Sequence, residues 1–348
     1  MLNNFNFIKE ITEAHGVPGS EEDIRRIIKN QLESSCEEFF YDNLGSIICK
    51  KNNSKGKFKV AIVAHMDEVG FLVEHITKDG YIKPYKLGGV NPLIAYNNVV
   101  QIKTEADKIM GVVIGKKTIS DLKWDDLLID IGCSSKDEVL ALGINIGDPI
   151  AFTTETKYIN NKEILAKSWD DRVGCILGVE ILKELKNIDL DYDLYFVGSV
   201  QEEIGTRGGK TSMELLNPDL AIILDVANTK NTPDNSLKTR IYGDGPCLVV
   251  ADKLALGNKK LIRKFSNIGD EKKIKYQYDF LNGGGTDNGP ATMTRYGIAG
   301  LSIILPVKNC HTPNTLLHED DYISTFNLLK EFFMSLNKEM LEKIYEFK

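Results

Sequence analysis

The chain has 348 residues, of which 42% are hydrophobic and 27% charged, with a formal net charge of −7 at neutral pH. That length buries one large core or two moderate ones, and the composition is that of an ordinary globular protein. The acidic balance argues against a nucleic-acid surface, and no run reaches the roughly 18 apolar residues of a membrane helix. The N-terminus carries no signal-peptide pattern, so a cytoplasmic protein is expected.

In chain order, Ser20-Glu21-Glu22-Asp23 reads as an N-cap with an acidic first turn. Ile24, Ile27, Ile28 and Leu32 then mark one helical face. Two strand-like runs follow, FFYDNLGSIICKK and KFKVAIVAH, separated by the polar stretch Asn52 to Gly56. The second is continuously apolar, as expected of a strand buried on both faces. From about residue 68 to 159 short alternating segments are broken by glycines, prolines and charged turns, with one short helix expected in SSKDEVLALG. This block reads as an inserted all-β barrel or sandwich (68–159) interrupting an α/β domain made of 1–67 and 160–348. Beyond it a helix is expected in DRVGCILGVEILKELKN, a buried strand in DLYFVGSV, a helix in KTSMELLN and a strand in AIILDVA. The stretch from Asp320 to Phe347 reads as helical throughout, with Phe326, Leu329 and Phe333 at core spacing.

Chemistry gathers where apolar runs stop. His65, Asp170, Glu202, Glu203, Asp225 and His311 each sit at such a point or at a glycine-rich turn. Two imidazoles with several carboxylates form a nitrogen- and oxygen-rich donor set suited to a pair of divalent first-row metals, Zn²⁺, Co²⁺ or Mn²⁺. Strand alternation puts His65 and Asp67 on the same side, so Asp67 is expected to hold the far imidazole nitrogen. Capping a helix explains one acid of Asp170-Asp171-Arg172 but not both, which makes Asp170 a candidate bridge between two metals. Glu202 and Glu203 follow a buried strand, where unpartnered charge is costly. A metal pair resolves this if one glutamate ligates and the other takes a proton from the attacking water.

Other motifs carry less. Gly205 to Thr211 resembles a phosphate loop but has one residue too few between its outer glycines, so nucleotide binding is rejected. Gly283-Gly284-Gly285-Thr286-Asp287 reads as backbone that a substrate approaches, with Gly284, Gly285, Thr286 and Asp287 as candidate contacts. The six cysteines include no C-x-x-C pair and read as free thiols. Cys310 beside His311 is not needed as a ligand, because the carboxylates already supply enough donors. His15, His75 and His318 read as structural or surface residues.

Taken together, AHMDEVGF, GVVIG, IDIGCSSKDE, ALGINIGDPI, DDRVGC, QEEIGTRGG, LDV, GGGTDNG and CHTP resemble metallopeptidase family 42, the tetrahedral or glutamyl aminopeptidase family. The resemblance implies a mixed-sheet α/β catalytic domain with a PDZ-like barrel inserted in it. It implies that His65 and Asp225 bind separate metals, Asp170 bridges them, and Glu203 and His311 complete the pair. Glu202 is then the general base, Asp67 orients His65, and barrel-paired dimers build a hollow dodecamer that admits short peptides. The chain departs from the family at Asn231-Thr232-Pro233, where a D-x-P pattern is usual, and after GVVIG, where Pro-Pro-His is missing. The expected activity is removal of N-terminal residues from short peptides. The rivals are a dinuclear amidase acting on N-acyl amino acids, an endoglucanase and a non-catalytic scaffold.

Overall fold

A computed structural model describes residues 2, 4–52, 56, 58–115, 121–230 and 239–347. Ile24, Ile27, Ile28 and Leu32 form the buried face of α2 (Glu22–Leu32), which follows α1 (Phe5–Glu13). The first strand-like run is two strands, not one. β1 (Cys36–Tyr41) and β2 (Ile47–Lys51) form a hairpin whose turn is held by Asp42, its carboxylate accepting from the amides of Leu44, Gly45 and Ser46. That Asx-type turn was readable in Asp-Asn-Leu-Gly. β3 (Lys59–His65) is buried along nearly its whole length.

The block that follows closes into a six-stranded antiparallel barrel. Its strands are β4 (Gly70–Ile76), β5 (Ile82–Leu87), β6 (Val99–Lys103), β7 (Lys108–Gly115), β8 (Leu127–Asp130) and β9 (Pro149–Phe152). Short helices α3 (Pro92–Ala95) and α4 (Lys136–Ala141) lie between them, the second capped by Ser135. The barrel has its own core, in which Phe71 stacks on Trp124 and meets Phe152 edge-on.

The chain then returns through β10 (Lys157–Tyr158), β11 (Glu163–Ala166), α5 (Trp169–Glu184), β12 (Asp193–Ser199), α6 (Arg207–Leu216) and β13 (Leu220–Asn228). It continues with β14 (Cys247–Asp252), α7 (Lys259–Lys272), β15 (Gln277–Leu281), α8 (Asn288–Thr292), β16 (Ala299–Lys308) and β17 (Thr315–His318). Helices α9 (Glu319–Ser335) and α10 (Lys338–Ile344) finish it. The expected unbroken C-terminal helix is therefore two. Leu336 is extended and the Asn337 side chain accepts from the Met340 amide, which caps a new helix.

Eleven strands make one mixed sheet in the order β1-β2-β12-β3-β13-β16-β17-β11-β10, with β14 joined antiparallel to β16 and β15 parallel to β14. Its centre, β12, β3, β13 and β16, is parallel, so all four strands end on the same edge. Most of α5 is buried, between this centre and the helices α1, α2 and α9, which is why its sequence shows little of a polar face. Among the described residues no helix is long and apolar enough to cross a membrane. The departures at Asn231-Thr232-Pro233 and after GVVIG fall outside the described residues.

Candidate metal centre

The carboxyl edge of the parallel strands gathers the chemistry, as open α/β sheets commonly do. His65 is the last residue of β3, Glu202 and Glu203 follow β12, Asp225 lies near the end of β13, and His311 follows β16. Asp170 comes from the non-helical first turn of α5, where the Asp170–Asp171 peptide is cis. Gln201 and His311 both hold left-handed backbone, φ 56° and 60°, a conformation that non-glycine residues adopt at some cost and that functional sites often retain.

Two donor groups share Asp170. In one, His65, Asp170 and Asp225 bring their ligand atoms within 4.8 Å of one another. His65 Nε2 lies 3.0 Å from Asp170 Oδ1 and 4.0 Å from Asp225 Oδ1. In the other, His311 Nε2 lies 3.2 Å from Asp170 Oδ2 and 3.3 Å from Glu203 Oε2. The opposite oxygen, Glu203 Oε1, is buried with no hydrogen-bond partner among the described residues. A buried acceptor left bare beside a histidine and a second carboxylate fits a cation between them. The donor set therefore suits two divalent ions with Asp170 between.

The electrostatics point the same way. Burial and then the Asp170 charge push Glu203 and Asp225 up to about 8. Burial, with Asp225 among the neighbours, raises Glu202 well above the carboxylate range. Burial opposes charge on the histidines as well, but the surrounding carboxylates outweigh it and raise His311 to about 10. Burial also works against charge on Asp170, yet the hydrogen bonds and charges of His311 and His65 hold it far below its usual range. A crowd of buried acids that retain protons is a site short of positive charge.

These shifts set a pH dependence. At neutral pH the metal-free centre holds protons on Glu203, Asp225 and His311, and a divalent ion must displace them, so affinity rises as pH rises toward and past about 8. Calorimetric titration of the apoprotein should show proton release on binding at about pH 7 and less at about pH 9. Affinity that is flat across this window would contradict the proposed ligand set.

Asp67 does more than face His65. Its two carboxylate oxygens accept from the amides of Glu202 and Glu203, each at 3.0 Å, and it is fully buried. His65 Nδ1 meets the Asp67 carbonyl at 3.1 Å and its carboxylate only at 3.6 Å. Asp67 thus fixes the paired glutamates directly and the imidazole through the main chain. Asp171 caps α5 at the Gly174 amide and accepts from the His65 amide. Arg172 spans the carbonyls of Ile11, Met66 and Gly16, and with Lys167 it brackets buried Glu68.

Several placements were not visible beforehand. The barrel reaches the centre: at Gly89, just beyond β5, an added Cβ would lie 2.8 Å from His311 Nδ1, so a larger residue there would push on that imidazole. Cys310 Sγ sits 2.9 Å from Asp170 Oδ2, closer to the donors than its sequence setting suggested. Gly284 and Gly285 line the cavity over the centre. Thr286 and Asp287 do not, because their side chains turn inward, Thr286 to Ser302 and Asp252, and Asp287 to Ser199. The expectation of four contacts along this loop therefore reduces to its two glycines.

Comparisons with known proteins bear on the family and the fold. A family model described as M42 glutamyl aminopeptidase matches residues 45–328. The glutamyl aminopeptidase of Lactococcus lactis is 30% identical, covering 98% of each chain. The lysyl aminopeptidase of Pyrococcus furiosus is 29% identical over 96% of this chain and 97% of its own. Among solved structures, the TET aminopeptidase of a marine sediment archaeon of the Thaumarchaeota superposes with a TM-score of 0.94 at 28% identity, covering 98% of each chain. The TET1 peptidase of Pyrococcus horikoshii, which assembles into a tetrahedron or a large octahedral shell, superposes with a TM-score of 0.85 at 28% identity over 95% of this chain and 99% of its own. The mixed sheet with its separate barrel is the fold of these enzymes, and the chain belongs to the M42 glutamyl aminopeptidase family of peptide-bond hydrolases.

Proposed function

We propose that this chain removes N-terminal residues from short peptides at a dinuclear centre, with Glu202 as general base. The observation that carries the reading is the shared position of Asp170, with His65 and Asp225 on one side and His311 and Glu203 on the other. Two divalent ions held there, Zn²⁺, Co²⁺ or Mn²⁺, supply an activated water and polarise the scissile carbonyl. Glu202 lines the cavity, and its carboxylate is held by no side chain among the described residues, which leaves it free to carry a proton from the attacking water to the departing amine. Asp67 keeps Glu202 and Glu203 in register by holding both of their amides. The free α-ammonium of the substrate enters a cavity lined by the carboxylates of Asp170, Glu202, Glu203 and Asp225.

Among the described residues the barrel contributes no ligand, and we assign it to assembly: a homo-oligomer, most simply a dodecamer built from dimers, working in the cytoplasm on short peptides. The shells formed by the Pyrococcus horikoshii relative support this. The amidase alternative differs in needing no free amine, and the glucanase alternative leaves the two histidines without a role. Peptides and their N-acetylated forms separate the readings. N-acetylation removes the charge that the acidic end receives, so capped peptides should resist cleavage that free peptides undergo. Equal turnover of both would favour the amidase.

A further inference from the structure

Resting on the dinuclear reading, we infer that Cys310 supplies a sulfur ligand on the His311 side of the centre. That half of the site then favours Zn²⁺ and other thiophilic ions over Mn²⁺. On sequence grounds the thiol is surplus, since carboxylates supply enough donors. Its position in the fold contradicts that.

The donor atoms of Asp170, Cys310 and His311 lie within 4.8 Å of one another, the same closeness that joins His65, Asp170 and Asp225 on the other side. Cys310 Sγ stands 2.9 Å from Asp170 Oδ2, the oxygen that faces His311 Nε2 at 3.2 Å. Glu203 Oε2 lies 3.3 Å from the same nitrogen. Donors held about 2.0–2.1 Å from a tetrahedral ion stand about 3.3–3.4 Å apart, so both nitrogen–oxygen separations already have ligand spacing. A sulfur–oxygen edge of such a site is about 3.5 Å, which a small turn of the thiol about χ1 provides. Glu203 gives an independent sign of a cation here. Its side chain is 6% exposed, it lines the same cavity as Cys310, and its Oε1 has no partner among the described residues.

The loop presents the sulfur from a fixed position. The Cys310 amide donates to Asn228 Oδ1 at 2.8 Å, and Asn309 and His311 on either side hold left-handed backbone, φ 59° and 60°. The Asn309 carbonyl accepts from the hydroxyls of Thr312 and Thr315, at 2.8 and 2.9 Å. Charge favours the assignment as well. Asp170, Glu203 and Asp225 bring three negative charges as ligands, and a thiolate brings the fourth that two divalent ions match. Glu202, no ligand in this reading, stays free to carry the proton. As a mere neighbour of Asp170 the thiol offers only a weak S–H donor, whereas its thiolate is a strong ligand.

The full-length apoprotein loaded with Co²⁺ tests the inference. Two ions per chain and a thiolate-to-cobalt charge-transfer absorption in the near ultraviolet are expected. The absorption should vanish in Cys310→Ser and Cys310→Ala, which keep the other five thiols, including Cys175 with its Sγ 3.2 Å from the His65 carbonyl. Cys310→Ser should lower Cd²⁺ affinity about 10- to 100-fold and leave Mn²⁺ affinity nearly unchanged. Two bound Co²⁺ without the absorption, or an absorption that persists in both variants, would overturn the inference and leave the dinuclear reading standing. An equal loss of Cd²⁺ and Mn²⁺ affinity would assign Cys310 to packing and also overturn it. A single Co²⁺ at saturation would overturn the dinuclear reading, and the absorption would still decide whether sulfur binds that ion. No bound Co²⁺ would overturn both.

Discussion

Replacing Glu202 with glutamine should cut kcat by about 10²- to 10⁴-fold while both metal ions stay bound. The amide keeps the size and polarity of the side chain but cannot accept the water's proton, so the loss should fall on kcat more than on KM. Glu203→Gln should behave differently, because its carboxylate faces His311 at 3.3 Å within a donor group. Weakened metal binding is expected there, with activity partly recovered at high metal concentration. Steady-state kinetics with elemental analysis on both variants separates base from ligand. The reverse pattern would exchange the two roles.

Asp170→Ala should lose both ions together and bring activity to background. Each of its oxygens faces a different imidazole, Oδ1 toward His65 and Oδ2 toward His311, and among the described residues no other carboxylate is paired with both. Its removal also leaves those histidines among raised, proton-holding acids with no fixed counter-charge. Circular dichroism should confirm that the variant folds, and metal content after reconstitution is the readout. Retention of one tightly bound ion would argue that Asp170 serves a single site.

Much of this centre is legible in the sequence because of where apolar runs end. KFKVAIVAH and AIILDVA are buried central strands, and a charged or ligating residue at the end of such a strand reaches the open edge of the sheet. The paired glutamates after DLYFVGSV were informative for the same reason. What was hidden depends on contacts between distant segments. Asp67 lies two residues after His65, which suggests an imidazole partner, and its carboxylate does lie 3.6 Å from that ring, but its contacts with amides more than a hundred residues away could not be read locally. The turn Gly283–Asp287 looked uniform in composition, yet buried Ser199 and Ser302 draw its last two side chains inward. Nothing local marks Asp279 as the anchor of Lys230 and Arg240, or Gly89 as the residue that lets the barrel close on His311. The hairpin and the break before α10 are hard to read for a smaller reason: each depends on a single capping residue, Asp42 or Asn337, set within a longer patterned run.

The central claim is that one chain holds two metal ions across Asp170. Anomalous diffraction at the metal absorption edge, on crystals reconstituted with Zn²⁺ or Co²⁺, tests it most directly. Two peaks per chain are expected, one between His65 and Asp225 and one between His311 and Glu203, with Asp170 touching both. A single peak at saturating metal, or two peaks of which only one contacts Asp170, would contradict it.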